Sequence, residues 1–81
     1  MNRPKAEETL DLAGVPCPAN AARAILKLAG MAPGAVLALI VDDGEPVRNV
    51  PPALEEQGHS VLFRTLEGGR WRLLVRNGGA S

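Results

Sequence analysis

The strongest constraint on the fold is a run of six consecutive apolar residues, Val36–Val41, near the middle of an 81-residue chain. The run shows no alternation with polar residues and is bounded by Pro33-Gly34 and Asp42-Asp43-Gly44. An unbroken aliphatic stretch between turn signals is typical of a strand that is covered on both faces. A chain of this length supports one small domain, and its only aromatic residues are Phe63 and Trp71. We therefore expect one aliphatic core built around this strand.

The periodicity on either side predicts two helices and three further strands. In chain order, the elements are predicted at residues 9–13 (strand), 18–29 (helix), 36–41 (strand), 46–57 (helix), 60–67 (strand) and 70–76 (strand). Pro18 suits the first helical position, and Glu67-Gly68-Gly69 predicts a hairpin turn. Pro51-Pro52 conflicts with the second helix. Either a loose turn precedes a helix that begins near Val50, or the helix is distorted there.

This order of elements predicts an α+β domain, a two-layer sandwich with βαβαββ connectivity. The first two strands pair in parallel through a helical crossover, and the hairpin adds antiparallel pairing, so the four-stranded sheet is mixed. Two helices cover only one face, which leaves the other face wetted by solvent. We expect disordered tails at residues 1–8 and 77–81 on either side of a single domain at 9–76.

Composition excludes several classes of function. Nine basic and nine acidic residues balance, so no overall field attracts nucleic acid or an anionic membrane. No apolar run approaches the ~20 residues that cross a bilayer, and the polar N-terminus lacks the apolar segment of a signal peptide. We therefore expect a cytosolic protein with a reduced thiol. A single cysteine excludes a disulfide scaffold and a multi-cysteine zinc site, and we expect neither metal nor cofactor.

That single cysteine, Cys17, lies where the first strand passes into the first helix, within Gly14-Val15-Pro16-Cys17-Pro18. As the N-cap of the helix, its sulfur would face the N–H groups of Ala19 and Asn20 and the positive end of the helix dipole. Both favour the thiolate over the thiol. Without a second cysteine, its chemistry must involve another molecule. The alternative is a small buried hydrophobic residue without reactivity.

Other polar residues also have a functional and a structural interpretation. His59 follows the second helix, and we expect it to satisfy carbonyl groups and the dipole there rather than act as a base. Asp42 and Asp43 are candidate metal ligands, but no further ligands cluster nearby, so capping of the following turn or helix is favoured. Arg48 would orient those acids or a partner, and the sequence leaves both interpretations open.

Four arginines, Arg64, Arg70, Arg72 and Arg76, are predicted on the open face of the sheet. Such a patch would dock RNA or an acidic protein, or would be an ordinary solvated face, and the latter is favoured. Exposed aromatic residues for stacking on bases are missing, because Trp71 is expected to face the core. No direct contact with nucleic acid is therefore expected.

Three motifs resemble the TusA/SirA/YedF sulfur-carrier family. Residues 10–20 (LDLAGVPCPAN) resemble its Asp-Leu-Arg-Gly-Leu-x-Cys-Pro-x-Pro signature. Residues 42–51 resemble its Asp-Asp-Pro segment leading to Arg-Asp-Ile-Pro, at the same spacing, and Gly58-His59 resembles its Gly-His element. The likeness extends from Thr9 to Arg76. It implies a fold like the C-terminal domain of translation initiation factor three, with sheet order 1-2-4-3.

The resemblance also implies a function. Cys17 would accept sulfur as a persulfide from a cysteine desulfurase or rhodanese-like donor and pass it to an acceptor protein. The chain would thus act with partner enzymes and not as a stand-alone catalyst. Family members serve tRNA thiolation, molybdenum-cofactor enzyme maturation, dissimilatory sulfur metabolism or selenium-related pathways. The residues expected to support Cys17 are Gly14, Pro16, Pro18, Asn20, Arg23, Asp42 and Arg48.

Two positions depart from the family signature. Ala13 stands where the family has arginine, and Asn20 stands at its second proline. Both lie beside the sulfur, where partners would be recognised, so the specific pathway stays open while the cysteine chemistry is left intact. The sequence does not identify the donor, the acceptor, the choice of sulfur or selenium, or the oligomeric state. Asn20 adds an N–H donor that proline lacks. The alternative functions are a protein- or RNA-binding module with an incidental cysteine, and a thiol redox sensor.

Overall fold

The computed structural model describes residues 6–79. Its elements are β1 (Glu8–Asp11), α1 (Ala19–Ala29), β2 (Val36–Asp42), α2 (Glu45–Glu56), β3 (Ser60–Glu67) and β4 (Arg70–Arg76). In this part of the chain, four strands form one sheet in the order β1-β2-β4-β3. β1 is parallel to β2, whereas β4 is antiparallel to β2 and to β3. The α+β fold with a mixed sheet and two helices is confirmed, as is the sheet order that the resemblance implies.

β2 is the buried centre of the domain, as its sequence predicts. Leu37, Leu39 and Val41 are completely buried and pack in the core between the sheet and the helices. The other buried members of this core are Leu12, Ala24, Leu28, Val50, Leu54, Leu73 and Val75. Every side chain in the cluster is aliphatic, with Trp71 packed against its edge.

The face of the sheet that carries no helix is only partly exposed to solvent. Val36, Ala38 and Leu74 form a second buried cluster there, with Ala6 and Leu62 packed against it. Ala38 has no exposed surface although no helix covers that face. β2 is therefore buried on both sides, which is why its sequence shows no polar alternation.

α2 is one helix and not a turn followed by a shorter helix. It begins at Glu45, and Pro46 occupies the first turn, where a missing N–H costs nothing. The helix continues through Pro51 and Pro52, and Pro51 is buried among the residues that α2 presents to the core. A helix start near Val50 is therefore wrong. Neither α1 nor α2 has the length and apolar composition that a membrane-spanning helix needs.

The C-terminal segment after β4 is packed rather than disordered. Asn77 is buried, and its Nδ2 donates to the carbonyls of Leu28, Met31 and Ala32 at 2.9, 2.7 and 3.1 Å. A Cβ on Gly78 would lie only 1.9 Å from a backbone oxygen, so the chain makes a close approach that glycine alone permits. The expectation of a disordered tail is wrong for residues 77–79. The expected N-terminal tail at 1–8 is likewise wrong at 6–8, because the N–H of Glu7 donates to the carbonyl of Val36 at 2.8 Å and β1 begins at the next residue. Residues 1–5 and 80–81 lie outside the described residues.

The loops that connect the strands and helices lie at two opposite edges of the sheet, where the strands begin and end. Because β1 and β2 are parallel, the β1–α1 and β2–α2 loops lie at the same edge. The β3–β4 turn joins them there, since Asp42 pairs with Arg70. We name this the cysteine edge, consisting of residues 12–18, 42–44 and 67–70. The opposite edge consists of residues 30–35, 57–59 and 77–79.

Burial of β2 makes a direct prediction about stability. Leu39→Ala should lower the free energy of unfolding by roughly 2–5 kcal/mol, because a cavity replaces a completely buried side chain. Leu26 is 76% exposed, so Leu26→Ala should change the free energy of unfolding by less than about 0.5 kcal/mol. Urea unfolding followed by circular dichroism measures both. Equal losses for the two variants would contradict the central position of β2.

Candidate functional site

The loop between β1 and α1 is held by its own backbone. The N–H of Leu12 donates to the carbonyl of Ile40 at 2.8 Å, which extends the parallel pairing beyond β1. Asp11 Oδ1 accepts from the N–H of Ala13 at 2.9 Å. Val15 then donates to the carbonyl of Leu12 at 3.0 Å. The segment that leads to Cys17 therefore turns tightly against the end of the sheet.

Asp42 ties this loop to the neighbouring strands. The N–H of Gly14 donates to Asp42 Oδ2 at 2.8 Å, and Asp42 Oδ1 lies 3.6 Å from Arg70 Nε. Gly14 has φ +79°, a left-handed conformation that favours glycine. The expectation that Asp42 caps the following turn is wrong. The N-cap of α2 is Gly44, which has no side chain to cap the helix, and the Asp42 carboxylate faces the Cys17 loop instead.

Asp43 also has a role that the sequence did not indicate. Its Oδ1 accepts from Trp71 Nε1 at 2.9 Å, so it does not cap α2 either. Trp71 packs against the core as expected, and Asp43 satisfies the polar end of its indole. Within residues 6–79, no group of three or more His, Cys, Asp or Glu side chains is placed to hold a metal.

Cys17 is exposed and free. The Cys17–Pro18 peptide bond is cis. α1 begins at Ala19, with Pro18 in the capping position and no side-chain cap, so the expectation that Cys17 is the N-cap is wrong by one residue. The carbonyl of Pro18 accepts from the N–H of Ala22 at 3.1 Å and thus begins the helical hydrogen bonding. Cys17 lies just before the helix, on the outside of the loop.

The N–H groups of the first turn are mostly engaged. Asn20 donates to the carbonyl of Pro16 at 3.1 Å, and the Asn20 Oδ1 accepts from the N–H of Ala21 at 2.7 Å. The N–H of Asn20 is therefore not the extra donor to sulfur that the sequence suggested. Ala19 is the first-turn residue whose N–H has no acceptor in the described part of the chain.

The side chain of Asn20 points into the interior of the domain. It is completely buried, and its Nδ2 has no hydrogen-bond partner among residues 6–79. Asn20 shares the buried stripe of α1 with Ala24 and Leu28, at i, i+4 and i+8. This helical spacing could have predicted from the sequence that Asn20 points into the core. The residue is therefore part of the packing under Cys17 and not of the surface that a partner touches.

The remaining predicted support residues divide into two groups. Gly14, Pro16 and Pro18 are exposed beside Cys17, and Arg23 is exposed on the following turn of α1. Arg48 is exposed near the start of α2, where the helix meets the cysteine edge. The ion pair with Asp42 comes from Arg70 and not from Arg48. The interpretation that Arg48 orients the acids is therefore wrong.

His59 lies at the opposite edge from Cys17, so a Cys–His pair is not formed. The ring is buried, and its Nδ1 accepts from the N–H of Gly78 at 3.1 Å. His59 has a structural role, as we expected, but its hydrogen-bond partner differs from the expected one. The ring accepts a hydrogen bond from the C-terminal segment and does not donate to helix carbonyls through Nδ1.

The predicted patch of four arginines is wrong. Arg70, Arg72 and Arg76 alternate along β4 with core residues and so share the helix-free face. Arg64 pairs with Leu73, which faces the helices, because a bulge between Val61 and Phe63 shifts the register of β3. Arg70 is already paired with Asp42. No four-arginine surface results.

Together, a two-layer α+β domain and an exposed cysteine on a hydrogen-bonded loop define a small thiol protein. Residues 8–77 match the model of the family described as Sulfurtransferase TusA, and the chain belongs to this family. It is 37% identical over 73 residues to a protein of Archaeoglobus fulgidus named "Putative sulfur carrier protein", covering 89% of this chain and 83% of that protein. The crystal structure of a SirA-like protein from Desulfitobacterium hafniense is similar, with TM-score 0.75 and 25% identity over 88% of this chain and 97% of that one. The family resemblance is confirmed.

The Asp42 contact predicts how the Cys17 loop responds to mutation. Asp42→Ala should speed hydrogen exchange of the Gly14 amide by roughly five- to tenfold, as expected for loss of a bond worth ~1 kcal/mol. Asp42→Asn keeps an acceptor oxygen and should retain most of the protection. Amide exchange measured by NMR compares the variants.

Asp43→Ala serves as the matched control. It removes the acceptor for Trp71 and leaves the bond between Gly14 and Asp42 in place. Exchange at Gly14 should then match the unmodified protein. Equal acceleration in the Asp43 and Asp42 alanine variants would show that the loop is not held by Asp42 in particular.

Proposed function

We propose that this protein carries sulfane sulfur as a persulfide on Cys17. The observation that carries the proposal is an exposed thiol, the single cysteine of the chain, on a loop held by backbone and Asp42 hydrogen bonds. Membership of the TusA family and the likeness to a protein named as a sulfur carrier support a carrier role. The persulfide, the donor and the acceptor are our extension of that role.

The proposed step is a thiol exchange reaction. The Cys17 thiolate attacks the terminal sulfur of a persulfide on the donor protein. The sulfur–sulfur bond of the donor breaks, the donor thiolate leaves, and a new sulfur–sulfur bond forms at Cys17. Sulfur moves without any external oxidant or reductant. An acceptor nucleophile then attacks the same terminal sulfur and releases Cys17 as thiolate.

The absence of a second cysteine suits a sulfur-carrier protein. A second thiol in the same chain would attack the inner sulfur of the persulfide, expel sulfide and form a disulfide. The chain has no second cysteine, so this loss does not occur within one molecule. The loaded sulfur persists until another protein removes it.

The two helices favour negative charge at the cysteine edge. α1 and α2 both begin there, because the parallel strands that precede them end there. The positive end of a helix dipole stabilises a nearby anion by typically ~0.3–1 kcal/mol. Of the two helices, α1 is the nearer to the sulfur, because its first turn follows Cys17 directly.

The outward side of α1 supplies a docking surface continuous with Cys17. Ala19, Ala22, Arg23 and Leu26 are exposed at helical spacing, and Leu26 is 76% exposed. α1 contains no acidic residue. We infer that the donor, a cysteine desulfurase or rhodanese-like protein, presents a carboxylate beside an apolar patch, and that the downstream acceptor uses the same surface.

The pathway is assigned only by class. The proposal covers tRNA thiolation, molybdoenzyme maturation or other sulfur trafficking in the cytosol, through protein partners and without direct contact with nucleic acid or membrane. The RNA-binding alternative loses its main support, since the arginines do not form one patch. The redox-sensor alternative is separated by the experiment below.

Loading of Cys17 is the direct test. After incubation with a cysteine desulfurase and cysteine, intact-mass spectrometry should show a gain of ~32 Da that a reductant reverses. Peptide mapping should place the added mass on Cys17, and Cys17→Ser should gain none. A gain of ~16 Da under peroxide, with no sulfur gain under desulfurase, would indicate a redox sensor instead.

Docking through α1 predicts a charge effect on transfer. Arg23→Glu should slow loading from the desulfurase about tenfold, because a like charge replaces the favourable one at the interface. Loading from the small donor glutathione persulfide should not change, since it needs no protein surface. Mass spectrometry of samples quenched at successive times gives the loading rate from each donor.

Arg76→Glu is the matched control. It makes the same charge change at an exposed site on β4, where Arg76 pairs with the first residue of β2, away from Cys17. Its loading rate should stay near that of the unmodified protein. If both variants slow loading equally, net charge and not the α1 surface governs docking.

A further inference from the structure

A cavity of about 400 Å³ lies at the opposite edge of the domain from Cys17. It opens between the C-terminal half of α1, the end of α2 and the segment after β4. Its lining residues are Ile25, Leu28, Ala29, Met31, Pro33, Gln57, His59, Asn77 and Gly79. The volume falls in the range of small-molecule sites, ~300–1,000 Å³. None of these residues belongs to the cysteine edge.

His59 gives the cavity a hydrogen-bond donor. Because its Nδ1 accepts from the N–H of Gly78, the proton of the neutral ring is on Nε2. Nε2 has no hydrogen-bond partner among residues 6–79. It is accessible to solvent, because the one buried side-chain atom without a partner in these residues is Asn20 Nδ2. The buried ring lines the cavity, so this N–H is available there.

The other buried polar side chain of the wall is already satisfied. Asn77 Nδ2 donates to three carbonyls, and its Oδ1 accepts from the N–H of Gly79 at 3.2 Å. It holds the C-terminal segment in place and leaves its amide little capacity for a ligand. The cavity thus combines a largely apolar wall with an unoccupied donor on a buried ring and the exposed side-chain amide of Gln57.

Charge limits the kind of ligand. Within residues 6–79, no charged side chain lines the cavity. α1 and α2 both end at this edge, and the C-terminal end of a helix carries partial negative charge that disfavours anions. An anionic ligand would lose its hydration here without a counter-charge.

We propose that this cavity binds an uncharged small molecule with an apolar body and a carbonyl-type oxygen that accepts from His59 Nε2–H. The apolar body contacts Ile25 and Met31, which are partly exposed in the wall. The proposal is independent of the sulfur-carrier role, because the site and Cys17 lie at opposite edges. It gives the protein a second binding function that does not touch the reactive sulfur.

Acetophenone is a suitable probe, since it joins an aromatic ring to one carbonyl acceptor. In a two-dimensional NMR titration, it should shift the amide signals of residues 29–31, 57–59 and 77–79, saturably, and leave residues 12–18 unchanged. Ethylbenzene has the same shape without the acceptor and should bind several-fold more weakly, because it leaves the His59 donor covered and unpaired. Benzoate, which is anionic, should bind at least about tenfold more weakly.

Two Ala→Trp variants test the location. Ala29 is exposed and lines the cavity, so Ala29→Trp should fill its mouth and lower acetophenone affinity by roughly tenfold or more. Ala22 is exposed on the same helix outside the lining, so Ala22→Trp should leave the affinity unchanged. Circular dichroism verifies the fold of each. Unsaturable shifts, equal losses in both variants, or benzoate binding as well as acetophenone would each overturn the proposal.

Discussion

Burial of β2 on both faces is the constraint from which the other positions follow. The helices cover Leu37, Leu39 and Val41, and the small cluster around Ala38 covers the reverse side. Burial of each of these leucine and valine side chains stabilises the fold by ~1.5–3 kcal/mol relative to exposure. A slip of the strand by one residue would turn the smaller side chains of the reverse face into this core and leave cavities there, which is costly. With β2 in register, Asp42 arrives beside Gly14 and Arg70. The loop that carries Cys17 is thus positioned by the end of the most buried strand.

The same topology gives the domain two chemically different edges. Both helices begin at the cysteine edge, where positive dipole ends favour an anion, and both end at the opposite edge, where they do not. The thiolate and persulfide that we propose for Cys17 would lie in the first environment. The cavity near His59 suits an uncharged ligand. Two functions placed at these edges would not compete for the same atoms, although one small core supports both.

Much of the fold follows from short-range patterns, and the site follows from them less completely. The apolar run predicts β2, the glycine pair predicts the hairpin, and the cysteine motif indicates both the reactive residue and the family. The details around Cys17 are different, since Asn20 turns inward and its N–H goes to the Pro16 carbonyl. The helical spacing of Asn20 with Ala24 and Leu28 was a usable signal, but its polar side chain argued for the surface.

The order of elements, the aliphatic core, the single cysteine and the family can all be predicted from the amino-acid sequence, because they depend on residue type and near-neighbour spacing. The folded chain alone reveals that Asp42 holds the Cys17 loop and that Asn77 anchors the C-terminal segment. It also reveals that a bulge in β3 turns Arg64 away from the other arginines. The first two are contacts between residues 28 and 45–49 positions apart. Such contacts exist only once the sheet has brought distant segments together, so no local pattern encodes them.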